Sequence, residues 1–331
     1  MNTDHKIILV TRPTRLAELV LRFNTVSQAR FYIERQGADF TDYQREDSTY
    51  HEALVGTQSV LSRLGRVQTV DRLFLPNFVF APDDTVVALG QDGLVANTLK
   101  YLDGQPLVGV NPDPGRWDGK LLPFTVGELS SVMPEVLSRQ RPTKAVTMAQ
   151  AALNNGQTLL AVNDIFVGPK THTSARYSIR CGEASETQSS SGVVISTGMG
   201  STGWLKSLLT GAAAVTLSAG AVSPRPSKEN QKNTRPRSLK DPKVRLVNVP
   251  SEFAWDANYL FFTVREPFPT KTTGATLVFG RVTAETPLQL ESRMAENGVM
   301  FSDGIEKDFL EFNSGTQAVI GLAERQGQLV V

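Results

Sequence analysis

Three short segments carry residue types suited to gripping a phosphorylated sugar. In Gly90-Gln91-Asp92-Gly93 the apolar run Thr85 to Leu89 ends in a turn, and a helical pattern follows from Leu94 to Leu102. Free amides at a helix start attract phosphate, and glycines let the backbone come close. Asp92 adds a carboxylate that can take the proton of a ribose hydroxyl as its oxygen attacks a phosphoryl group. The same four residues also suit a type I′ turn with a solvated Asp-Gly pair. Asn163-Asp164 closes the run Thr158 to Val162 and offers donors and acceptors for the vicinal hydroxyls of a ribose, with a capping or turn role as the plainer use. The third segment sends the strand Val193 to Ser196 into Thr197-Gly198-Met199-Gly200-Ser201-Thr202 and then a helix faced by Trp204, Leu205, Leu208 and Leu209. Two glycines among hydroxyl residues favour close backbone approach there, although an ordinary strand-to-helix turn needs no ligand.

Other chemistries lack their residues. The three histidines, His5, His51 and His172, stand apart without metal-ligand spacing or a serine or cysteine partner. No Walker-type loop ending in lysine and serine or threonine occurs. Cys181 is the only cysteine, which excludes an intrachain disulfide and a thiolate metal cluster and leaves it as a small buried hydrophobe. A formal charge of +1 over 331 residues gives no net field for nucleic acid or an acidic membrane. Met1 to Lys6 lead into a short apolar stretch, Ile7 to Val10, and no run nears the about eighteen residues that span a bilayer. The expectation is a cytoplasmic protein with neither a membrane nor a nucleic-acid partner.

The elements that must position these residues fall into two halves, and 331 residues at 40% hydrophobic suffice for two cores. The first half alternates apolar runs with helical patterns: a strand at Ile7 to Val10, then a helix carrying Leu16, Leu19, Val20, Phe23 and Val26. A second helix holds Leu54, Leu61 and Leu64 and stops at Gly65, before buried strands at Thr85–Leu89 and Pro106–Val110. This predicts an α/β domain over 1–125, doubly wound with a mostly parallel sheet, carrying the Gly-Gln-Asp-Gly turn. Beyond a connecting helix at Val126 to Leu137, short runs follow at Thr158–Val167, Ser174–Ile179, Val193–Ser196, Tyr259–Val264 and Thr276–Phe279. They predict a mostly β domain over 126–331, whose final segment is free to return to the first domain. Asn297-Gly298 and Asp303-Gly304 are turn signals. Pro224 to Arg245 sets many lysines and arginines against only Glu229 and Asp241, which suits a solvated loop or a cationic flap over a triphosphate.

In order and spacing the three segments resemble the NAD kinase family, which carries Gly-Gly-Asp-Gly, then Asn-Glu or Asn-Asp, then a Thr-Gly-Ser-Thr-like segment. The likeness is closest to the mitochondrial-type branch, through Val10-Thr11-Arg12-Pro13-Thr14-Arg15, Gly109-Val110-Asn111-Pro112-Asp113-Pro114, Ser190-Ser191-Gly192 and Val264-Arg265-Glu266-Pro267. The resemblance extends over almost the whole chain. It implies an N-terminal α/β domain, a C-terminal β domain that binds NAD, a site between them, and a homodimer or higher homo-oligomer. NAD and ATP would be the small-molecule substrates, with Mg2+ or another divalent cation whose ligands stay unassigned. Asp92 would be the catalytic carboxylate acting on the 2′-hydroxyl of the adenosine ribose, and Gly93 would line the phosphates. Asn163 and Asp164 would hold ribose hydroxyls and adenine, Thr202 would contact the adenine, and Gly200 and Ser201 would shape that wall. Asn111 is counted among the substrate-binding residues, as is Ser191, which stands where many relatives place an aspartate facing the nicotinamide riboside. Arg176 matches a branch arginine without an assigned role.

Two departures stand in the phosphate turn. Gln91 replaces the family's second glycine, at a cost of roughly 1–2 kcal/mol if that position needs positive φ. Leu94 replaces a threonine and removes a hydroxyl. Beside the kinase they leave open a noncatalytic NAD or NADP sensor. A lipid kinase of the same superfamily is a third reading, against which the Asn163-Asp164 pair counts.

Overall fold

The apolar runs Ile7 to Val10 and Val86 to Leu89 are fully buried, as strands covered on both faces must be. In the computed structural model, which describes residues 5–221, 252–306 and 308–331, they pair in parallel at the centre of a large sheet. The first half of the chain runs β1 (Lys6–Thr11), α1 (Arg15–Phe23), α2 (Val26–Arg35), α3 (Phe40–Leu61), β2 (Arg66–Asp71), β3 (Thr85–Leu89), α4 (Asp92–Leu99), β4 (Pro106–Asn111), β5 (Phe124–Thr125) and α5 (Leu129–Leu137). Then come β6 (Thr143–Leu153), β7 (Thr158–Ala161), β8 (Asp164–Pro169), β9 (Ala175–Cys181), β10 (Ala184–Ser190), β11 (Val193–Ser196) and α6 (Trp204–Ala221). The chain finishes with β12 (Leu260–Val264), β13 (Phe279–Val282), β14 (Leu288–Ser292), β15 (Gly298–Ser302), β16 (Leu310–Glu311) and β17 (Gln317–Val330). The basic segment Pro224 to Arg245 lies outside the described residues.

The larger sheet has the order β10-β9-β14-β17-β4-β3-β1-β2, with β5 beside β4, β6 beside β17 and β7 beside β6. Its β2-β1-β3-β4 part is parallel, and β17 joins it in parallel through Gln328 and Leu329. The strands beyond β17 are antiparallel. A second sheet, β13-β12-β11-β8-β15-β16, is antiparallel throughout. Alternate residues of the parallel strands feed opposite cores, as a period of two dictates. Ile7, Leu9, Val87 and Leu89 pack with Tyr50 and Leu61 of α3 and Met133 of α5. Ile8, Val10, Val86 and Ala88 pack with Leu94, Val95 and Leu99 of α4. A third core lies between the two sheets, joining Ile165, Ile195 and Phe262 of one to Tyr177, Leu288 and Ile320 of the other. The fold is thus an N-terminal α/β part and a mostly β C-terminal part, as expected.

Several elements differ from the expectation, each for a local reason. The helix foreseen from Leu16 to Val26 is two helices, because Asn24 turns left-handed at φ 66° and Thr25 caps α2 by accepting the N–H of Gln28. Thr158–Val167 is two strands, broken at Val162-Asn163 where the amides turn to another carboxylate. The strand foreseen at Thr276–Phe279 begins only at Phe279, since the amides of Thr276 and Leu277 donate to Glu186 at 3.1 and 2.7 Å instead of to a neighbouring strand. Cys181 is partly exposed rather than buried.

Candidate active site

Asp92 opens α4, two residues earlier than the sequence pattern suggested, so its carboxylate stands in the first turn where helix amides favour negative charge. The loop after β4 comes to it, and Asp92 Oδ1 accepts the N–H of Leu121 at 2.8 Å. Asn111 shapes that loop, donating from Nδ2 to the carbonyl of Trp117 at 2.9 Å and accepting the N–H of Asp113 on Oδ1 at 3.1 Å. One N–H and one lone pair of its amide are thereby committed within the protein. A cavity of about 360 Å³ opens beside the turn, lined by Gln91, Asp92, Gly93, Arg116, Trp117, Asp118, Gly119 and Leu122. Its position beyond the carboxyl ends of β3 and β4 is where open α/β sheets bind ligands.

The two departures in this turn take on different meanings. Gln91 is the helix N-cap at φ −117°, an ordinary extended conformation, so a side chain there carries no backbone strain. Leu94 is 5% exposed and packs into the core under α4, with its Cδ2 2.8 Å from where a Cβ on Gly90 would stand, so it backs the phosphate turn with an apolar side chain. Gly93 has open space where a Cβ would project.

Asn163-Asp164 lies at the break between β7 and β8, and the Thr197 to Thr202 segment follows β11, the neighbour of β8. Ser196 pairs with Asp164 across that ladder, which places the two segments side by side. Thr197 donates its N–H to the Asn163 carbonyl at 2.9 Å and its hydroxyl to the Val162 carbonyl. A Cβ on Gly200 would stand 2.2 Å from the Asn163 carbonyl oxygen, so glycine is required there by the protein's own backbone. The Ser201 hydroxyl is used on the Gly198 carbonyl at 2.7 Å, whereas Thr202 is exposed. Asp164 is 9% exposed and its Oδ1 has no partner. Burial pushes its carboxyl up to about 7, against the Ser196 hydroxyl and with help from the charge of Asp303.

The three segments share one packed core. Leu94 from the Asp92 helix, Leu121 and Leu122 from the loop, Val162 beside Asn163 and Met199 beside Gly200 all belong to it. Asn163, Asp164, Gly200 and Thr202 do not line the Asp92 cavity. Ser191 lies apart, at the other end of β11 from Thr197 and so on the order of 15 Å away. Arg176 is exposed on β9, with its carbonyl accepting the N–H of Arg293 at 2.8 Å.

Other residues around the site had no role assigned to them from the sequence. Arg116, on the cavity wall, grips Asp42 of α3 with both terminal nitrogens at 2.9 and 2.6 Å. Arg116 first, and then Arg15, hold the Asp42 carboxyl well below the usual carboxylate range. Arg12 at the end of β1 is buried and pairs with buried Glu46 at 3.0 Å. Asp303, noted only as half of a turn signal, reaches the Asn163-Asp164 break from more than a hundred residues away. For a divalent cation the fit is of one kind. Asp118 lines the cavity beside Asp92, which suits a magnesium ion held by one carboxylate and a substrate's phosphates. Among the described residues no group of three or more His, Cys, Asp or Glu is placed to hold a metal by itself. No described helix is long and apolar enough to cross a membrane.

No protein-family model matches the chain, and no curated protein matches it in sequence. Solved structures do. An NAD kinase from Archaeoglobus fulgidus in complex with ATP superposes with a TM-score of 0.53 at 13% identity, covering 98% of this chain and 93% of that one. Yeast NADH kinase complexed with NADH superposes with a TM-score of 0.52 at 14% identity, covering 100% of this chain and 84% of the other. At such low identity what is shared is architecture, and the fold of this protein is NAD kinase-like.

Proposed function

We propose that this protein is an NAD kinase, transferring the γ-phosphate of ATP to the 2′-hydroxyl of the adenosine ribose of NAD to give NADP and ADP. The observation that carries this reading is the placement of Asp92: first turn of a helix, wall of a cavity, and one packed core with Val162 and Met199 beside the other two motifs. In the reaction Asp92 accepts the 2′-hydroxyl proton, the oxygen attacks the γ-phosphorus, and the bond to the β-γ bridging oxygen breaks. The amides at the start of α4 and the Arg116 guanidinium face the donor's charge. Asp164, with an unpartnered oxygen, and Asn163 hold a ribose hydroxyl and the base, while Thr202 meets the adenine from the exposed side. A magnesium ion would be held by Asp118 of the cavity wall together with the donor's phosphates, and would neutralise phosphate charge there.

The same reading assigns residues 1–125 to the donor and 126–331 to NAD. It also places the chain in the mitochondrial-type branch on the four segments quoted above, and in the cytoplasm. Ser191 lies at the opposite end of β11 from Thr197, so a nicotinamide contact from it is assigned to a second copy of the chain, in line with a homo-oligomer. Purified protein given NAD, ATP and magnesium should form NADP, with NADH as a second acceptor and other triphosphates and polyphosphate as further donors. Absence of NADP or NADPH from folded protein with every donor would remove the kinase. The second reading, a noncatalytic NAD or NADP sensor, draws on Leu94, which leaves no hydroxyl at the turn; tight binding by calorimetry without turnover selects it.

A further inference from the structure

We propose that Asp303 is the positioning residue of the acceptor site, fixing the Asn163-Asp164 turn through its backbone. The inference rests on the kinase reading and adds to it a residue that touches no substrate.

The geometry is a clamp. Asp303 accepts the N–H of Val162 on both oxygens at 3.1 Å, and on Oδ1 the N–H groups of Asn163 at 2.6 Å and Asp164 at 3.3 Å. In return its own N–H donates to the Asp164 carbonyl at 2.9 Å. Three successive amides on one carboxylate leave the turn little freedom, and together with Lys100 they oppose the burial that pushes this carboxyl up. The residue sits in the left-handed region at φ 55°, followed by Gly304 at φ 72°, a conformation that aspartate, asparagine and glycine tolerate best. Lys100 supplies the countercharge. It caps the far end of α4, the helix that Asp92 begins, and its buried ammonium donates to the Ser302 hydroxyl at 3.3 Å, one residue before Asp303. Arg325 holds the Lys100 carbonyl at 2.8 Å. One short helix thus spans from the reacting carboxylate to the cation beneath the clamp.

Two substitutions separate the carboxylate from the turn it sits in. Asp303→Asn keeps shape and the left-handed backbone but replaces a charged acceptor; Asp303→Gly keeps the backbone and removes the acceptor. In the full chain each is expected to weaken NAD binding by about 10- to 100-fold by calorimetry and to raise KM for NAD in step, with KM for ATP unchanged. A merely structural role moves both substrates together. Equal losses toward NAD and ATP, or unchanged NAD constants in a folded variant, overturn the proposal. Where neither Asp303 variant folds, Lys100→Gln leaves carboxylate and turn in place: a rise in the NAD constants alone supports the clamp, and no rise overturns it. A wild-type chain that neither binds NAD nor forms NADP defeats the kinase reading itself, an outcome distinct from a wild type that works and variants that do not discriminate.

Discussion

At the Asn163-Asp164 turn, three amides converge on Asp303, Thr197 ties down the neighbouring carbonyls and Gly200 lies against the backbone. At the Asp92 turn, one side-chain bond to Leu121 joins helix to loop, the N-cap Gln91 makes no capping bond, and the space over Gly93 is open. On the proposed kinase reading the first turn is the acceptor end, built to one shape before anything binds, and the second is the donor end, shaped by a loop that Asn111 and Arg116 hold. Preorganisation where a sugar must be oriented spares the ordering cost of binding. Slack where phosphates enter admits more than one donor pose.

The largest effect expected is on Asp92. Asp92→Asn keeps an oxygen for the Leu121 amide yet cannot take a proton, so NADP formation should fall by about 10²- to 10⁴-fold while the urea unfolding curve stays in place. A modest loss of rate would mean that the carboxylate is not the base.

Asp164 tests the acceptor end through pH. Its carboxyl has an ordinary value of 3.8 and is raised to about 7 by burial. Below the lower value both folded and unfolded chains hold the proton; between the two the folded state binds it more tightly, so stability falls as pH rises through that window. Asp164→Asn, neutral throughout, should therefore stabilise the protein by up to about 4 kcal/mol at pH near 8, an effect that fades to nothing below the ordinary carboxylate range. The same variant should weaken NAD binding, and a gain in stability independent of pH would contradict the assignment.

A pair of glycines sharpens the contrast. Gly200→Ala drives a Cβ onto the Asn163 carbonyl and is expected to cost about 1–3 kcal/mol in chemical unfolding. Gly93→Ala should stay within about 0.5 kcal/mol, its space being free. Similar costs at both sites would erase the difference between the two turns. The smallest effect is that of Gln91→Gly, a few tenths of a kcal/mol at an N-cap already in extended conformation, with NADP formation unchanged.

The strands around the site were legible because fully buried parallel strands need unbroken apolar runs, as at Ile7 to Val10 and Thr85 to Leu89. The start of α4 was two residues out, since Asp92 and Gly93 carry no apolar signal and the first turn is set by amides rather than packing. Gly198 and Gly200 were read as permitting close backbone approach, and the approach the structure shows is the protein's own: a Cβ at either would meet the backbone of Ala254 or Asn163. The cost assigned to Gln91 depended on a φ that spacing does not reveal. Asp303 was invisible because its partners lie about 140 residues away, and no local pattern encodes which carboxylate meets which amides. Arg116 and Asp42, 74 residues apart, were hidden in the same way.

The strand β17 pairs with β4, β6 and β14, so it borders the parallel strands and the antiparallel ones at once. It is also the last of the described elements to leave the ribosome. During synthesis the β4 flank, Pro106 and Leu107, waits without that neighbour until Gln328 and Leu329 emerge. The nascent chain thus carries an unfinished edge, open to wrong pairing, from the time β4 is made until β17 follows it.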